Sequence, residues 1–85
     1  MLAIQMEDWE QAERDLQRSL DVFRKLRSRL NIGRSLYQMG NLAVSQGQND
    51  KAARYFDEAH GLFSEIGARL DAQRTETALK DITSN

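Results

Sequence analysis

His60 is the single histidine of this 85-residue chain, with Asp57 three residues before it and Ser64 four after it. On a helix those spacings put an acid, a base and a hydroxyl on one face, the residue types used in nucleophilic catalysis. Three groups on adjacent turns of one exposed helix supply neither a pocket nor oxyanion donors. They read as a solvated helix face, and no enzyme activity is expected. The second candidate is a basic cluster, Arg24, Lys25, Arg27 and Arg29, a charge pattern that suits an acidic partner or a nucleic acid. Glu7, Asp8, Glu10 and Glu13 stand at the other end of the same segment, so both sets also complement the dipole of one helix. No aromatic residues interleave to stack on bases.

Composition narrows the chemistry further. The chain has no Cys and one His, which excludes disulfide scaffolds, iron–sulfur clusters, thiol catalysis and multi-His metal sites; no metal or cofactor is expected. Twelve Lys and Arg against 13 Asp and Glu leave a net charge of −1, without the cationic surplus that a phosphate backbone demands. The longest apolar run, Met1 to Ile4, is far short of the roughly 20 residues of a transmembrane helix, and the acidic start is unlike a signal peptide. A cytoplasmic protein without membrane or nucleic-acid partners is the expectation. The absence of Pro favours uninterrupted helix.

The elements that must carry these side chains are legible as a repeat. Sliding the chain by 40 positions, without a gap, aligns Leu2 with Leu42, Ala12 with Ala52, Arg14 with Arg54, Phe23 with Phe63, Leu30 with Leu70 and Arg34 with Arg74. Conservative pairs fill the spaces, among them Leu16 with Phe56, Ser19 with Ala59 and Met39 with Leu79. Within each unit the apolar residues step by three or four: Trp9, Ala12, Leu16, Leu20, Phe23 and Leu26, then Ala52, Phe56, Ala59, Phe63 and Ile66. That period is helical, and no stretch alternates as a strand would. Gly47 and Gly67 suit left-handed helix ends, Gln48-Asn49-Asp50 the following cap, and Asp8 with Gln11 a capping box before Trp9. Five segments are predicted, at 1–6, 9–27, 30–46, 50–66 and 70–82, joined by short turns that force antiparallel packing.

Leu36-x-x-Met39-Gly40-x-x-Ala43 followed by Ala52-x-x-x-Phe56-x-x-Ala59 resembles the tetratricopeptide repeat. Gly40 and Ala52 are small where the helices of a hairpin would cross, and the Gly47-Gln48-Asn49-Asp50 turn is similar to the family's turn between its two helices. Leu36 stands at the signature Trp, Ala43 at the signature Tyr and Ser64 at the terminal Pro. The period of 40 exceeds the commonest one of about 34, as in the family's longer-repeat relatives. The resemblance implies an all-α, right-handed array of antiparallel helix pairs, an α-solenoid. Residues 1–29 would be a truncated first repeat, 30–69 a complete one, and 70–85 a capping helix and tail. At the 40-residue offset, Leu36, Gly40 and Ala43 become Glu76, Lys80 and Thr83, a polar outer face.

The family's first helices line a concave groove that holds a peptide or helix of a partner protein. Carried over by position, the partner-binding residues would be Arg34, Tyr37, Gln38, Asn41, Val44 and Ser45, with Arg74, Thr77, Ala78 and Asp81 from the next first helix. Asn41 and Gln38 would bond a peptide backbone, Tyr37 would offer a flat apolar surface, and Arg34 with Arg74 would pair with carboxylates. A protein–protein interaction module is the leading expectation. The alternatives are the end segment of a larger scaffold that has further N-terminal repeats, or a homodimer joined through Trp9, Leu16, Leu20 and Phe23.

Overall fold

The computed structural model describes residues 2–83, with side chains described from Trp9 onward. The expected tail at 84–85 lies outside them. Four helices follow in order: α1 (Leu2–Lys25), α2 (Arg29–Ser45), α3 (Asn49–Glu65) and α4 (Arg69–Thr83). Each packs antiparallel on the next. α2 and α4 form one layer, α1 and α3 the other, in a body 17 Å across its shortest axis, the depth of two helix layers.

The three turns are copies of one device. Arg27, Gly47 and Gly67 sit at φ of 56°, 76° and 73°. In each turn the next residue's amide reaches back five positions: Ser28 N–H donates to the Phe23 carbonyl at 3.0 Å, Gln48 to Ala43 at 2.8 Å and Ala68 to Phe63 at 2.8 Å. This is the Schellman closure that satisfies the last carbonyls of a helix. Its left-handed position favours Gly, which lacks the Cβ that crowds the next carbonyl. Arg27 takes it without that relief, and α1 ends at Lys25, two residues before it, just as α2 and α3 end two residues before Gly47 and Gly67.

The start of α1 corrects the sequence reading. No break separates 1–6 from 9–27: the helix runs through Asp8, and Gln11 donates instead to the Asp15 carboxylate at 3.0 Å. Gln5-Met6-Glu7-Asp8 contains no Gly or Pro to stop a helix. The Gln48-Asn49-Asp50 segment starts α3, but no side chain caps it.

The core is set by two large-into-small contacts between α2 and α3. A Cβ at Gly33 would lie 2.6 Å from Phe63 Cε1, and one at Gly40 would enter the Phe56 ring. The two glycines are seven residues apart, as are the two phenylalanines, so both rings lock the same antiparallel register. Around them, Leu20, Leu36, Met39, Ala59 and Phe63 form one buried cluster and Ala43, Ala52 and Phe56 another. Thr75 is buried on α4, its hydroxyl donating to the Asp71 carbonyl at 2.8 Å. Arg24–Glu58 at 3.4 Å and Lys51–Glu13 at 3.5 Å tie α1 to α3 at the surface.

Candidate functional site, a cleft between the first helices

α2 and α4 run side by side, and between them opens a cleft of about 190 Å³ lined by Arg34, Tyr37, Gln38, Phe63, Asp71 and Arg74. The i, i+3, i+4 spacing of Arg34, Tyr37 and Gln38 puts all three on one face of α2. Asp71 and Arg74, three residues apart, do the same on α4. Phe63 contributes an apolar floor, already pinned by Gly33. The Tyr37 ring lies 5.6 Å from that of Phe56 at an interplanar angle of 50°, a tilted aromatic contact that holds the tyrosine at the cleft wall.

The electrostatics of the cleft are lopsided. Arg34 Nη2 meets Asp71 Oδ2 at 3.7 Å, with the Arg34 side chain more than half exposed and the Asp71 side chain mostly covered. Arg74 makes no ion pair among the described residues. Two guanidiniums and one carboxylate leave one positive charge over, beside an aromatic face and the Gln38 amide. Such a surface accepts a carboxylate with an adjoining apolar group.

Of the ten partner-binding residues expected from sequence, Arg34, Tyr37, Gln38 and Arg74 are brought together here. Asn41, Val44, Ser45, Thr77 and Asp81 lie on exposed helix surface outside the cleft lining. The Ser45 hydroxyl donates to the Asn41 carbonyl, and that of Thr77 to Gln73, both along their own helices. Ala78, assigned to the groove, packs instead beside Ala43, Ala52 and Phe56. Asp71 and Phe63 were missed. Asp71 was findable, one turn before Arg74 on the same helix face; Phe63 was already counted as core, and its second role depends on how α4 sits.

The other candidates resolve differently. Leu20 is 3% exposed within the main core, so it does not belong to an open oligomer face, and Leu16 packs at the edge of the same cluster. Trp9 and Phe23 are half-buried. His60 Nε2 faces Glu76 Oε2 at 3.6 Å across α3 and α4, away from the Asp57–Ser64 spacing that suggested catalysis. Arg24 of the basic cluster is engaged by Glu58. No helix of the described residues is long and apolar enough to cross a membrane.

Antiparallel helix pairs stacked at a 40-residue period, with their first helices flanking a cleft, define an α-solenoid repeat protein. The tetratricopeptide repeat family model matches residues 1–65, and the chain belongs to that family. Neither curated proteins nor solved structures give a significant match. Tetratricopeptide repeats generally mediate protein–protein interaction and are typically non-catalytic.

Proposed function

We propose that the chain binds a partner protein through the α2–α4 cleft, taking an acidic peptide segment or a chain-terminal carboxylate. The observation that carries this reading is Arg74, a guanidinium without an ion pair among the described residues, set across from Arg34 in a cleft with an aromatic wall. An incoming carboxylate would pair with Arg74 while its neighbouring side chain covers Tyr37 and Phe63, and Gln38 would bond the peptide backbone. Asn41, Val44, Ser45 and Thr77 would extend the contact along the helices beyond the cleft.

Fluorescence anisotropy with a defined peptide library, matched for sequence but differing in acidic content and in free or amidated C-termini, tests this directly. Acidic or free-carboxylate members bind, and Arg74→Glu abolishes their binding while far-ultraviolet circular dichroism stays unchanged. Equal binding of amidated neutral peptides, or indifference to both Arg74→Glu and Tyr37→Ala, would sink the proposal.

A further inference from the structure

The 40-residue repeat lets the two outer-layer helices be compared position by position. In α3, Ala52, Phe56, Ala59 and Phe63 are at most 1% exposed. Their counterparts in α1, Ala12, Leu16, Ser19 and Phe23, are all only half-buried. The difference is α2, which covers this stripe on α3; none of the described residues supplies the corresponding cover for α1. At 100° per residue, Leu26 continues the same open stripe and Val22 lies at its edge; they are 69% and 52% exposed.

α4 of a second copy is the first occupant to consider, since it occupies the same layer as α2. It lacks the necessary shape. Where α2 has Gly33 and Gly40 to receive Phe63 and Phe56, α4 has Gln73 and Lys80. The buried Leu20 and Leu36 of the covered junction are replaced at this end by the His60–Glu76 pair. Leu70 remains exposed there among charged neighbours. Phe23 and Leu16 of another copy would meet long polar side chains, so head-to-tail stacking is blocked.

α1 itself has the missing shape. Its large residues Leu16 and Phe23 are seven apart, and its small residues Ala12 and Ser19 are also seven apart, as on the two helices of the α2–α3 contact. In an antiparallel pair of α1 helices, Phe23 faces Ala12 of the second copy, Leu16 faces Ser19, and Trp9 faces Leu26. Each contact occurs twice by symmetry. Charge follows the same sense: Asp15, on the edge that Val22 shares, and Arg18 beside it come within a turn of Arg18 and Asp15 of the other copy, whereas a parallel pair would align like charges. A self-complementary patch closes into a dimer and does not propagate. We infer that the open face of α1 is a homodimer interface, Ala12, Leu16, Ser19, Val22, Phe23 and Leu26 packing antiparallel on the same residues of a second copy.

Light scattering with size exclusion on the 85-residue chain gives twice the 9.8 kDa protomer mass. Val22→Lys, at an exposed site where folding tolerates it, weakens the dimer by at least about tenfold, and Leu26→Glu does the same. Lys80→Glu leaves it unchanged. The protein has no Cys, so single cysteines report the direction of packing. Ser19→Cys sits close to the two-fold axis and cross-links on oxidation, whereas Leu26→Cys lies about 25 Å along the helix from its symmetry mate and does not. A monomer at every concentration overturns the inference and leaves the stripe to another helix or another protein. So do an assembly that grows with concentration, a dimer indifferent to Val22→Lys and Leu26→Glu, or cross-linking through Leu26→Cys.

Discussion

Replacing Gly40 by Ala tests the packing that holds the cleft together. An alanine in a helix interior is favoured over glycine by about 1 kcal/mol. At this site the added methyl would stand 2.6 Å from Phe56 Cδ1, about 1 Å inside an ordinary carbon–carbon contact. Phe56 is fully buried and boxed by Ala43, Ala52 and Tyr37, so the ring has little room to withdraw. Overpacking of this kind costs about 1–3 kcal/mol, leaving Gly40→Ala with a net loss of about 1 kcal/mol. Phe56→Leu alone loses apolar contact and costs about 1–2 kcal/mol. In the double variant the methyl occupies space the ring has vacated, and the helical preference for Ala is recovered. The two changes should therefore couple by about 2 kcal/mol, measured as a double-mutant cycle in urea unfolding followed by circular dichroism. At about 4–8 °C per kcal/mol for a chain of this size, the double variant would melt close to Phe56→Leu or above it. Costs that add within about 0.5 kcal/mol would refute the claim that Gly40 is required by the Phe56 ring.

Three further outcomes follow from the same geometry. Arg27→Gly relieves a left-handed side-chain residue and raises stability by roughly 0.5–1 kcal/mol, whereas Gly67→Ala in the equivalent turn lowers it by about 1 kcal/mol; thermal melts of the two variants, moving in opposite directions, check this. Asp71→Ala frees Arg34 and raises the cleft from one surplus positive charge to two, so an acidic peptide binds severalfold more tightly. Its stability changes by less than about 1 kcal/mol, because the Arg34 side chain is 59% exposed and the pair is screened by solvent. Arg24→Ala, which breaks the exposed pair to Glu58, shifts urea stability by less than about 1 kcal/mol, and a larger loss would mean that the α1–α3 seam depends on it.

Most of the element pattern was legible because period and punctuation reinforce each other. Phe56, Ala59 and Phe63 mark one face of α3, and Gly47 and Gly67 mark two of the three turns. The third turn carries no such mark, since Arg27 takes the left-handed position without being Gly, and the predicted segment 9–27 runs through it. The predicted break at Asp8 failed for the converse reason: a capping residue can start a helix only where something stops the preceding segment, and nothing between Gln5 and Asp8 does so. In the cleft, Arg34, Tyr37 and Gln38 were placed together by carrying the family's groove positions onto this sequence. Asp71 lies outside the groove positions that the resemblance implies, and its approach to Arg34 is a contact between helices, 37 residues apart in the chain.

By itself the sequence determined the helical class, the 40-residue repeat, the small residues needed where hairpins cross, and the polar substitutions on α4. Those are local or periodic properties, encoded by residue type at a fixed spacing. Tertiary structure decided which apolar residues are covered. Leu20 and Phe23 share one helix and one hydropathy pattern, yet Leu20 is sealed beneath Leu36 and Phe63 while Phe23 stands half-open. It also decided that Arg34 and Asp71 meet, while Arg74 makes no ion pair among the described residues. Burial and pairing depend on what a neighbouring helix brings to a side chain. Helical periodicity specifies the face on which a residue lies, but the packing of the layers determines what that face meets.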